Sequence, residues 1–258
     1  MNILGKVLLI TALAGVGGTG AGGLAACLLR RESDQAVSLL LSFAAGVMTA
    51  VVCFDLLRDA IEPENAPGQS YLFVVMAGVL VGYAVIGALN ALVDRSSAAG
   101  HRRRNRNSLL TAGVVMAAAI ALHNMPEGMV IGASFAKSDG TELLNRSGFV
   151  MAAVIGLHNV PEGMAVAVPM ISGGMGRGRA VGITAVTGAP TILGALLGYS
   201  LGVMGPMALA MSLSFASGAM LYVVFGELLP EAFALWKSRL PALSAIIGMM
   251  VGMMIVYW

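Results

Sequence analysis

His123-Asn124-Met125-Pro126-Glu127-Gly128-Met129 is echoed thirty-five residues later by His158-Asn159-Val160-Pro161-Glu162-Gly163-Met164. Each copy lies in the middle of a long apolar run. On a helix, His and Glu four residues apart share one face, and the Asn three before the Glu lies beside it. Pro126 and Pro161 have no N–H to give the carbonyls of Leu122 and Leu157, which predicts a kink in each helix. Two such helices facing each other would enclose a metal-sized pocket lined by imidazole, amide and carboxylate.

The chain around these motifs has 258 residues, of which 58% are hydrophobic and 11% charged, with mean hydropathy +0.87. A soluble domain carries about 25% charged residues. Repeated windows of roughly 20 nearly uncharged residues are long enough to cross a bilayer as helices. The composition predicts an all-α, polytopic membrane protein, one transmembrane domain over residues 1–258. Eight spans are expected, at about 3–28, 36–61, 70–93, 109–136, 148–172, 180–204, 207–230 and 241–258. The first is too long for a signal-peptide core and shows no cleavage site. Cys27 and Cys53 both fall in apolar segments and read as small packing residues.

Positive charge sets the orientation. Arg30, Arg31, Arg95, Arg102, Arg103, Arg104, Arg106, Arg177, Arg179, Lys237 and Arg239 fall on one side of this layout, and Lys6, Arg58, Lys137 and Arg146 on the other. Cytoplasmic loops carry the excess of Lys and Arg. Both termini are therefore expected outside, with a cytoplasmic loop at about 94–108. The basic run from His101 serves as a topology signal, and it could also touch anionic lipid.

Two further patterns bear on function. Gly15-Val16-Gly17-Gly18-Thr19-Gly20 matches the dinucleotide fingerprint, but it sits inside a span and reads as close helix packing. Residues 42–62, SFAAGVMTAVVCFDLLRDAIE, align without gaps on 214–234, SFASGAMLYVVFGELLPEAFA. Asp55 falls on Glu227 and Met48 on Met220. The two segments run in opposite directions in the expected topology. That implies an inverted repeat of three spans, two motif-bearing spans, then three, an architecture of secondary transporters whose site lies near mid-membrane.

Charged groups at the bilayer centre cost about 2.5–3.5 kcal/mol each on the lenient insertion scale. A divalent cation between Glu127 and Glu162 would offset that directly. His123, His158, Glu127 and Glu162 supply nitrogen and oxygen donors suited to Zn²⁺, and also to Fe²⁺, Mn²⁺ or Cd²⁺. Asn124 and Asn159 can add amide oxygens or orient a ligand. Alternatively, polar groups in spans hold helices together, or form a metal-free proton relay. Asp55 and Glu227 are candidate pathway residues at opposite ends of the bundle, with helix-end capping as the alternative. Met48 is a candidate soft gate. A membrane-embedded zinc metalloenzyme would need a separate general base and substrate cleft; no HExxH or Ser/Lys arrangement supplies them, so the chain is not expected to be an enzyme.

These residues resemble the ZIP family of divalent-metal transporters, in its bacterial GufA-like branch. The resemblance covers nearly the whole chain. It implies eight spans, inner-membrane location, inward transport with zinc as substrate, and a transport site on spans 4 and 5. By that likeness His123, Asn124, Glu127, His158, Asn159 and Glu162 are the metal residues. No organic cofactor and no nucleic-acid partner are expected; the partners are divalent ions and the lipid bilayer, and a homodimer is compatible with this reading. The chain departs from the family pattern where His158 replaces a common Gln. It departs again in Thr187-Gly188-Ala189-Pro190-Thr191, where Thr191 takes an acidic place, so a second adjacent metal is expected to bind weakly or not at all. The 94–108 loop holds only His101 where the family's loop is His-rich, which makes metal sensing there doubtful.

Overall fold

The computed structural model describes residues 3–28, 34–63, 70–101, 108–136 and 146–257. The described residues form eight helical rods and no strand. In lipid, backbone N–H and C=O groups must be satisfied within the segment, which a helix does and a loop does not. The rods are α1 (3–28), α2 (Asp34–Ile61), α3 (Leu72–His101), α4 (Ser108–Ala136), α5 (Arg146–Ser172), α6 (Arg177–Gly202), α7 (Pro206–Leu235) and α8 (Leu240–Tyr257). Seven of them meet the length and hydropathy expected of a membrane span. The remaining rod, α4, has 29 residues, about 43 Å at 1.5 Å per residue. The protein is a polytopic all-α membrane protein.

Two details differ from the sequence reading. The α3 helix runs on to His101, so most of the expected 94–108 loop is helical; residues 102–107, with Arg102, Arg103, Arg104 and Arg106, lie outside the described residues. Small, straight and charged residues such as those of 94–101 sustain a helix beyond the apolar stretch that a hydropathy window detects. In addition, α1, α2 and α7 each contain a π-turn, at Leu13–Gly17, Val52–Leu56 and Val224–Leu228, and α6 is interrupted at Gly188 and Ala189. Such turns accommodate one extra residue in a helix and often mark functional sites.

Packing divides the rods into two sets. In one, α1 lies along α5, α6 along α4, and α4 against α5; in the other, α2 lies along α8, α3 along α7, and α2 against α7. The sets meet chiefly where α7 lies on α4. Small residues make these approaches close, as membrane helices without a hydrophobic drive between them require. A Cβ on Gly163 would run into the Thr19 carbonyl, and one on Gly128 into that of Thr191. Likewise Gly22 abuts Val160 and Met164, and Gly194 abuts Met125 and Met129. Thr19 and Thr191, and Gly22 and Gly194, are separated by the same interval as the aligned stretches 42–62 and 214–234. The π-turns at Val52–Leu56 and Val224–Leu228 are again separated by that interval.

Candidate metal centre

The second motif's His158 and Glu162 are one helical turn apart on α5, and their side chains meet: His158 Nε2 lies 2.9 Å from Glu162 Oε1. The same nitrogen lies 3.7 Å from Glu127 Oε1 on α4. One ligand atom from each of Glu127, His158 and Glu162 falls within 4.8 Å of the others. Metal–nitrogen and metal–oxygen bonds of about 2.0–2.2 Å let one ion bridge atoms at that spacing. Both carboxylates are 0% exposed and His158 is 6% exposed. The cluster joins two carboxyl groups and one imidazole in the interior of a membrane bundle, an arrangement suited to binding a doubly charged cation or protons.

The motif asparagines are anchored. Asn124 Nδ2 donates to the Thr187 carbonyl of α6 at 2.8 Å, and Asn159 Nδ2 donates to the Ala14 carbonyl of α1 at 3.3 Å. Both amides are fully buried. Their Oδ1 atoms have no hydrogen-bond partner among the described residues. Each amide therefore uses its donor on a neighbouring helix and keeps its acceptor free.

The structure brings together Glu127, His158 and Glu162, and fixes Asn124 and Asn159 on the same two helices. His123 belongs to α4, but its side chain lies outside the described residues. Thr191 is fully buried at the start of the second half of α6, and its Oγ1 has no partner among the described residues. Asp55 and Glu227 sit half-buried in the matched π-turns and outside the three-residue cluster. Met48 is 3% exposed and belongs to the apolar core with Met220, Val130 and Ile155. Sequence reasoning missed Ala14 and Thr187, which act through backbone carbonyls. The glycine-rich stretch of the first span and the Gly-Ala-Pro of the sixth were the available signals, since both mark interrupted helix geometry.

Fold and cluster define the class: a polytopic membrane protein with cation-binding chemistry between its central helices. The family pattern described as ZIP Zinc transporter matches residues 93–258. The chain is similar to the zinc transporter ZupT of Chlorobium luteolum, at 34% identity over 97% of each chain. It is also similar to the ZupT of Corynebacterium glutamicum, at 33% identity over 95% of this chain and 94% of that one. The ZupT of Akkermansia muciniphila is 31% identical, again over 95% and 94%. The chain belongs to the ZIP zinc transporter family.

Proposed function

We propose that this protein carries divalent metal ions, zinc foremost, across the bacterial inner membrane toward the cytoplasm. The observation that carries the reading is the buried Glu127–His158–Glu162 cluster, supported by the family and by the ZupT name of the relatives. Glu127 and Glu162 supply charge that a divalent ion neutralises. His158 supplies nitrogen, His123 a second one, and Asn124 and Asn159 offer their free oxygens. Fe²⁺, Mn²⁺ and Cd²⁺ suit the same donors.

His158 Nε2 lies within hydrogen-bond distance of Glu162 Oε1, with Glu127 Oε1 3.7 Å away, so a proton and a cation compete for the same atoms. An arriving cation displaces any proton held there, because ligands bind metals in their deprotonated forms. Reprotonation of the cluster on the far side favours release.

Eight spans related as an inverted repeat of three, two and three fit the matched contacts and π-turns, and the bias of Lys and Arg along the chain supports both termini outside. The helix packing supports a division for alternating access that cuts across the two repeats. The whole site lies within the set α1, α4, α5 and α6, with α2, α3, α7 and α8 as its frame. Displacement of the first set against the second would turn the site from one face of the membrane to the other. Uptake of radioactive zinc into proteoliposomes tests the proposal: entry with intact protein that is lost in Glu127→Ala supports it. Entry equal to that of protein-free vesicles would contradict it.

A further inference from the structure

We infer that the crossing of α1 and α6 at Gly15 and Gly188 is a positioning element that aims the amide oxygens of both motif asparagines at the metal. This rests on the reading of the cluster as a metal site. The carbonyls that hold the two amides belong to Ala14 and Thr187, the residues just before the two glycines. At those glycines the backbones of α1 and α6 touch with no side chain between them. A Cβ on Gly15 would lie 2.6 Å from the Gly188 carbonyl oxygen and 2.6 Å from Thr191 Oγ1, and a Cβ on Gly188 would overlap the Gly15 carbonyl. The separation of the two anchoring carbonyls is thus set by direct backbone contact.

Both carbonyls lie at irregular turns, and the break in α6 leaves that of Thr187 without its helical donor. Thr191 N–H, which would reach the Thr187 carbonyl in an unbroken helix, bonds instead to the Gly188 carbonyl at 3.3 Å. Asn124 fills the place left at Thr187. On α1, Ala14 lies in the π-turn, where its carbonyl also receives the Gly18 N–H. An amide whose NH₂ is tied to a carbonyl must point its oxygen away from it. Each tether therefore decides where one buried, unpartnered Oδ1 points. Partners that orient ligands typically contribute about 10–100-fold to metal affinity.

The π-turn contains its own control. A Cβ on Gly17 meets nothing within 4 Å, while one on Gly20 meets Ala185 Cβ at 3.3 Å. The test is calorimetric zinc titration of the purified full chain for Gly17→Ala, Gly20→Ala and Gly15→Ala, each in the wild-type and in the Asn124→Ala/Asn159→Ala background. In the wild-type background Gly17→Ala leaves affinity unchanged, Gly20→Ala weakens it modestly, and Gly15→Ala weakens it about tenfold or more. In the background lacking both amides, Gly15→Ala changes affinity by less than about twofold, because the groups it positions are gone. Equal losses in the two backgrounds, or no loss in Gly15→Ala, would overturn the inference. If Gly15→Ala fails to fold, Gly20→Ala carries the same comparison on its smaller displacement. Wild-type protein that binds no zinc would instead sink the metal-site reading, and this inference with it.

Discussion

The α1–α5 pair and the α6–α4 pair follow one plan with different finishing. In each, a motif glycine lies on a threonine carbonyl of the neighbouring helix, Gly163 on Thr19 and Gly128 on Thr191. In each, a motif asparagine donates to a carbonyl at an irregular turn. The differences are local. On α1 the irregularity is a π-turn that keeps the helix continuous; on α6 the helix stops at Thr187 and restarts at Pro190. Thr19 Oγ1 donates to the Gly15 carbonyl at 3.0 Å, whereas Thr191 Oγ1 has no partner among the described residues. The shared features are those that place the motif side chains. What varies is the local device: on α6 a break at Gly188 and Ala189 redirects the Thr191 N–H to the Gly188 carbonyl, whereas on α1 the Ala14 carbonyl keeps the Gly18 N–H and accepts the amide as well.

The likeness of the pairs is tested most severely at the carboxylates. Glu127→Ala and Glu162→Ala each remove one charge from a two-charge centre, and each should reduce zinc affinity by at least about 100-fold, the upper end for residues that only orient ligands. Calorimetry on both variants decides whether the two motifs share the ion; retention of binding in either would assign the site to one helix. Next come the motif glycines. Gly128→Ala and Gly163→Ala force a methyl into a facing carbonyl, and overpacking of this kind costs about 1–3 kcal/mol. Thermal unfolding in detergent should show comparable losses for the two, and a loss at only one would show that the second contact can relax. The smallest effect separates the pairs. Thr19→Ala should cost about 1 kcal/mol for its buried hydrogen bond, and Thr191→Ala should be close to neutral because its hydroxyl makes none.

The polytopic helical fold was legible because long apolar stretches have one outcome in lipid, and the paired motif because a His and a Glu four apart must share a helix face. Contact between Glu127 and His158 followed from placing the motifs on neighbouring helices. The end of α3 was not legible: residues 94–101 are too polar for a span, yet nothing in them stops a helix. The π-turns were hidden as well, since a one-residue insertion barely disturbs hydrophobic periodicity. Asn124 and Asn159 stood out in the motif, but their tethers depend on which carbonyl of a neighbouring helix faces them at an irregular turn, a property of two helices together. Met48, matched in both repeats and read as a candidate gate, lies in the apolar core beside Met220, a packing partner that the alignment alone did not give.

Zinc-edge anomalous diffraction from crystals grown with zinc tests the metal centre most directly. We expect one peak between α4 and α5, within bonding distance of Glu127, Glu162 and His158 Nε2. A peak elsewhere, or none at saturating zinc, would contradict the assignment of these residues to the transported ion.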